Sequence, residues 1–148
     1  MMAAREEKTS DRHTEILNRY QAGQSSFNAW MRDRLGDLKM TDWGWGRISM
    51  DWAIDDRFIM PDGFMFGGHI SSVADHVAGL TAMTVLRDDK ERFRTSRLET
   101  NFFRPLMQPS ARIEGRVTNA SRALIHVEAD FLNAGDKIAA RIYAVQMR

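Results

Sequence analysis

Between Gly68 and Leu86 the chain is apolar nearly all the way round a helical wheel. A helix of that kind has to be enclosed rather than laid on a surface, so something broad must wrap it. Gly67 and Gly68 lead into this helix. They let the backbone approach a ligand closely, and the N–H groups of the first turn behind them have no partner inside the helix and serve as anion donors. Asp75 lies about two turns in, among Val73, Ala74, Val77 and Ala78. A carboxylate buried among such neighbours without a partner is costly, so the reading is a buried Asp75 kept for chemistry rather than for stability.

The rest of the chain supplies the wrapping. Four runs, 93–103, 111–119, 123–132 and 138–147, alternate in hydrophobicity as strands do. Ile125, Val127, Ala129 and Phe131 fall on one face and His126, Glu128 and Asp130 on the other, so one side of the sheet meets the helix. Asn119-Ala-Ser-Arg122 and Asn133-Ala-Gly-Asp136 read as hairpin turns, and Arg87-Asp-Asp-Lys-Glu-Arg92 as a solvated turn. An earlier aromatic and β-branched stretch, Trp43 to Ile54, reads as one further strand, ended by a loop with Asp55, Asp56, Pro61, Asp62 and Gly63. Ahead of it, apolar residues at three- and four-residue spacing (Ile16, Leu17, Tyr20, then Phe27, Trp30, Met31, Leu35) predict two helices or one broken at Gly23. Ser10 or Asp11 is the expected cap and Gly36 the expected stop, with the first ten or so residues frayed. The fold class is α+β: a curved antiparallel sheet on a long central helix over 41–148, with an N-terminal helical extension over 1–40 that covers a sheet or an oligomer edge.

Composition narrows the function. There is no cysteine, hence no disulfide framework or thiolate metal site, and no His-x-x-x-His stands beside a carboxylate. A net charge of +1 without a stripe of Lys and Arg interleaved with aromatics argues against nucleic acid as the partner. No apolar run approaches the ~20 residues that span a bilayer, and no apolar h-region follows the charged start. The expected location is cytoplasmic. Neither a Gly-x-Ser-x-Gly elbow nor a phosphate loop is present.

Several residues bear on chemistry. Gly67 and Gly68 are either oxyanion donors or a tight turn; Asp75 is either a base or nucleophile or a structural carboxylate. His69 and His76, seven apart, share a helix face and read as partly exposed structural residues or, less simply, as an acid/base pair. His13 and His126 read as surface positions. Phe64, Met65 and Phe66 would give an apolar wall, or belong to the core.

The stretch Gly63-Phe-Met-Phe-Gly-Gly-His-Ile-Ser-Ser-Val-Ala-Asp75, together with Thr95-Ser-Arg-Leu-Glu-Thr-Asn-Phe-Phe-Arg104-Pro105, resembles the hotdog-fold acyl-CoA thioesterases of the phenylacetate-degradation (PaaI-like) type. In that family a His-Gly-Gly turn precedes the central helix and the catalytic Asp or Glu follows the second glycine with six residues between, the spacing that Gly68 and Asp75 keep. Phe66 stands where many members have the histidine, and Met60 about where many have an asparagine. The resemblance covers roughly Gly44 to the C-terminus. It implies hydrolysis of an acyl-CoA thioester, with coenzyme A entering only as part of the substrate and no metal or redox cofactor. It also implies Asp75 as general base or nucleophile, Gly67 and Gly68 as the oxyanion hole, and Thr95 holding the attacking water. Arg122, with Arg104 as second choice, is implied at the coenzyme's phosphates, and Phe66 and His69 beside the substrate. Members pair as dimers, often tetramers, with sites lined by both subunits, which places Asp75 opposite a partner's Thr95. Two other readings remain: a hydratase or dehydratase of acyl thioesters on the same fold, and a non-catalytic acyl-CoA-binding or assembly protein.

Overall fold

A computed structural model describes residues 6–148. Two helices come first, α1 (Asp11–Gln21) and α2 (Ser26–Leu35). Ser10 caps α1, its hydroxyl accepting from the His13 N–H, and Ser25 and Asn28 form a reciprocal capping box on α2. The expected fraying of the first ten residues does not extend to Thr9 and Ser10. Both are buried: the Thr9 hydroxyl donates to the Thr84 carbonyl and the Ser10 N–H to that of Leu86. Residues 1–5 lie outside the described part. His13, expected at the surface, is buried beneath that anchored segment and bonded to Ser10.

The stretch expected as one strand is a hairpin. Strand β1 (Asp37–Gly44) turns through Trp45 and Gly46 into β2 (Arg47–Ala53). Gly46 sits at φ 72°, a left-handed conformation that hairpin turns require and glycine adopts cheaply. Leu38 and Met40 give β1 its buried face, but with only two alternating apolar residues and a bulge at Thr41 its period is faint. β1 therefore runs across residue 40, where the seam between extension and domain was expected.

The long helix α3 (Gly67–Met83) follows, then β3 (Arg94–Phe102), β4 (Ser110–Ala120), β5 (Leu124–Leu132) and β6 (Ile138–Met147). All pairings are antiparallel, in the order β1-β2-β4-β5-β6-β3, so β1 and β3 are the edges. The face carrying Ile125, Val127, Ala129 and Phe131 is buried against α3, as its alternation demands. Each large side chain on it contributes about 1.5–3 kcal/mol by leaving water. Helices α1 and α2 pack on β1, and α2 also meets α3. One edge of the sheet is thus covered; among the described residues nothing covers the β3 edge.

Candidate functional site

Every fourth residue along one flank of α3 meets the β3 side of the sheet, as the helical repeat requires. A Cβ on Gly67 would press the Phe102 ring at 3.2 Å, the Ser71 hydroxyl donates to Thr100 Oγ1 at 3.0 Å, and Gly79 faces the Phe93 ring. Between them Asp75 Oδ1 accepts a hydrogen bond from Thr95 Oγ1 at 2.8 Å.

Thr95 reaches that carboxylate because of a β-bulge. Leu98, Thr100 and Phe102 oppose Ala144, Ile142 and Ala140 of β6, two residues for two. Strict alternation would bring Ser96 onto this face and turn Thr95 away. Instead the register steps from Arg97↔Val145 to Thr95↔Gln146, leaving Ser96 as the extra residue. The step re-aims Thr95 towards α3, the usual local effect of a bulge.

Asp75 is exposed, not buried as expected. The sheet covers only part of the helix: Ile70, Val73, Ala74, Val77, Ala78 and Leu80 are buried, while the flank of Gly68, Ser72 and Asp75 overhangs the uncovered β3 edge. The expectation of Asp75 opposite a partner's Thr95 is likewise corrected, since the two side chains bond within one chain.

At the start of α3, Phe66 occupies the N-cap position without a side-chain hydrogen bond to the helix. The first N–H groups, those of Gly67 and Gly68, therefore have no side-chain cap competing for them. A pocket of about 390 Å³ opens beside them, lined among others by Phe64, Gly67, Phe102, Phe103 and Arg104. Phe66 is exposed next to it, whereas Met65 belongs to the core. The Arg104 guanidinium is turned onto the Ile138 carbonyl at 2.8 Å.

The histidines of α3 turn the other way, towards the N-terminal helices. His69 stacks on Phe58 with ring centroids 3.8 Å apart, and its Nε2 lies 3.3 Å from the Leu35 carbonyl oxygen. His76 Nε2 is 2.9 Å from the Tyr20 hydroxyl. Burial drives the His76 pKa down to about 4 against a pull upward from Asp75, and burial lowers His69 as well. Both are neutral at physiological pH and hold helices together.

Arg122 lies in the β4–β5 turn, on a larger pocket of about 1040 Å³ beyond the C-terminal end of α3, with Trp45, Arg87, Arg92 and Arg148. Arg148 is paired with Glu91; Arg122 has no carboxylate partner among the described residues. The cross-strand row Thr95↔Gln146, Gln146↔Ile125, Ile125↔Ala120 connects the two places. Three strand spacings put Ala120 about 14 Å from Thr95. Asp75 and Thr95 thus stand together, with the glycine turn at one end of the helix and Arg122 beyond the other.

Gln146 completes this cluster and was not anticipated. Its Oε1 lies 3.0 Å from Thr95 Oγ1, the residue is completely buried, and its Nε2 has no hydrogen-bond partner among the described residues. The sequence did carry a signal. In Ala140, Ile142, Ala144, Gln146 an amide takes the next place on an otherwise apolar, helix-facing side. Among the described residues no group of three His, Asp or Glu side chains could share a metal ion, and no helix is long and apolar enough to cross a membrane.

A six-stranded antiparallel sheet around one long helix, with a carboxylate and a glycine turn on that helix, is the hotdog architecture. Residues 62–140 match the thioesterase superfamily, and the chain belongs to that family. It is a thioester hydrolase. A protein of Saccharolobus solfataricus assigned as an esterase is 31% identical over 71% of this chain and 74% of its own length. A protein of Ralstonia eutropha assigned as a thioesterase and described as phenylacetic acid degradation-related superposes with a TM-score of 0.76 at 23% identity, covering 89% of this chain and 98% of its own. A protein of Streptococcus mutans bound to acetyl-CoA superposes with a TM-score of 0.68 at 18% identity, over 75% of this chain and 87% of its own.

Proposed function

We propose that the chain hydrolyses an acyl-CoA thioester to a carboxylic acid and free coenzyme A, with Asp75 as the catalytic carboxylate. The observation that carries this reading is an exposed aspartate on the central helix whose one oxygen is held by the Thr95 hydroxyl, leaving the other free. As base, that oxygen takes a proton from water while the resulting hydroxide adds to the thioester carbonyl. As nucleophile, it attacks the carbonyl itself, and water then opens the mixed anhydride. In either route the Gly67 and Gly68 N–H groups stabilise the oxyanion, worth on the order of 3 kcal/mol per donor, and the coenzyme's thiolate leaves and is protonated.

Arg122 and its neighbouring arginines offer the phosphate-binding end. About 12 Å of helix run from Asp75 to the end of α3 at Met83, two residues short of Val85 at the rim of that pocket, a span suited to an extended pantetheine arm. The acetyl-CoA bound to the Streptococcus mutans relative supports the substrate class.

The active unit is a homodimer or a tetramer of such dimers. Along one helix Gly68 and Asp75 are about 10 Å apart, whereas a donor and a base acting on one carbonyl each stand about 3 Å from a reacting atom. Two copies with their α3 helices antiparallel across the open β3 edge would bring the glycines of one to the Asp75 of the other. They would also cover the exposed Phe66, Phe102 and Phe103.

Pure protein incubated with an acyl-CoA panel and a thiol-trapping reagent tests the reading: released thiol is expected. A change at an acyl double bond without thiol would instead mark a hydratase, which the packing of His69 and His76 against Phe58, Leu35 and Tyr20, away from Thr95, disfavours. Binding without turnover would mark a carrier.

A further inference from the structure

Thr95 has one hydroxyl hydrogen and two oxygen neighbours, Asp75 Oδ1 at 2.8 Å and Gln146 Oε1 at 3.0 Å. One hydrogen serves one acceptor well, and the nearer oxygen belongs to a carboxylate, the stronger acceptor. Two oxygens would then face each other across 3.0 Å with no hydrogen between them. Meanwhile the Nε2 of Gln146, completely buried, has nothing to donate to among the described residues. A buried N–H left without an acceptor costs about 1–3 kcal/mol.

Both defects have one remedy. The two ends of a glutamine amide have the same shape, and the hydrogen-bond network decides which faces a neighbour. With Nε2 towards Thr95, the amide donates to the hydroxyl oxygen and the hydroxyl donates to Asp75. One N–H of the amide is then satisfied where neither was before, and the atom left with no partner at all is a carbonyl oxygen, a condition native interiors tolerate more often than a nitrogen with no acceptor.

We propose that Gln146 is a positioning residue. Its amide N–H holds the Thr95 hydroxyl so that the hydroxyl hydrogen is committed to Asp75 Oδ1, and Oδ2 is presented to the reacting atoms. The proposal rests on Asp75 being the catalytic carboxylate. A threonine hydroxyl without this clamp rotates among three staggered positions, one of which serves Asp75. Three elements are tied in a directed chain, from β6 through the edge strand β3 to α3. The bulge at Ser96 is what makes it possible, because without it Thr95 would not stand opposite Gln146 on the helix-facing side.

Two experiments test this. Neutron diffraction from crystals exchanged into deuterated water should show deuterium on Gln146 directed at Thr95 Oγ1, and the Thr95 deuterium on Asp75. The Gln146 carbonyl oxygen facing the hydroxyl would overturn the proposal. In kinetics, Gln146→Met keeps the volume and removes the donor. It should lower kcat about tenfold with KM changed less than about twofold. In a Thr95→Val background the same substitution should have no further effect, and in Thr95→Ser its effect should return, because a residue acting through Thr95 needs the hydroxyl. Losses that add in the double variant mean a merely structural role and sink the idea. If the wild-type chain releases no thiol from any acyl-CoA, the thioesterase reading fails on its own, while the diffraction result still decides the orientation of the amide.

Discussion

Thr95 Oγ1 donates to Asp75 Oδ1 at 2.8 Å within a single chain, from a bulged edge strand to the open flank of the central helix. Both members of the pair therefore come from the same chain. Asp75→Asn keeps the shape and removes the proposed base or nucleophile, so turnover should fall by ~10²-fold or more with the melting temperature nearly unchanged. Thr95→Ala should cost less, since the carboxylate remains. A thiol-release assay beside thermal melting checks both, and near wild-type kcat in Asp75→Asn would rule out the mechanism.

Subunit mixing follows from the same relationship. Because Asp75 and Thr95 come from one chain, mixing Asp75→Asn with Thr95→Ala should give no more activity than the mean of the two alone. Asp75→Asn mixed with Gly67→Val, whose side chain would press the Phe102 ring, should recover about a quarter of wild-type activity. Half the dimers would be mixed, each with one intact site. Recovery in the first mixture, or none in the second, would contradict the shared-site geometry.

Arg122→Ala should raise KM for an acyl-CoA more than it lowers kcat, and the difference should shrink with added salt, because exposed charges are screened within about 8–10 Å at physiological ionic strength. An unchanged KM at low salt would remove Arg122 from the coenzyme's path and turn attention to Arg104.

Stability should fall with acidification well before the carboxylates titrate. His76 titrates near 6.5 when unfolded and at about 4 in the fold. Below 6.5 the unfolded chain gains a proton that the folded one refuses, so the stabilisation is complete above that pH and is lost as pH falls towards 4. The loss by pH 5 is about 2 kcal/mol from His76, and His13 and His69, lowered mainly by burial, add in the same direction. Urea titrations at pH 7 and pH 5 measure it. In His76→Gln the drop should shrink, and an equal drop there would exonerate His76.

Where a residue's neighbours are set by local period, the sequence was legible. The central helix, the four late strands, the buried face of β5, a cap at Ser10 or Asp11 (it is Ser10) and the Gly36 stop all follow from side-chain spacing. The β1–β2 hairpin was not legible: Trp43, Trp45 and the residues after them look like one aromatic strand, and only the left-handed Gly46 breaks it. Nor was the environment of Asp75. Helical apolarity said that α3 is enclosed but not how far the sheet reaches round it.

What the sequence by itself determined is a carboxylate two turns behind a glycine pair on an enclosed helix, and a sheet able to wrap it, because helical and strand periods are short-range and written residue by residue. Only the tertiary structure decided who meets that carboxylate. A single extra residue, Ser96, shifts the register of β3 so that Thr95 meets Asp75 and Gln146, residues 20 and 51 positions away. The packing of the N-terminal helices and the limited reach of the sheet likewise turned His69 and His76 towards those helices and left the Asp75 flank exposed. Register and sheet coverage arise from pairing between distant strands, and no local pattern in the chain encodes them.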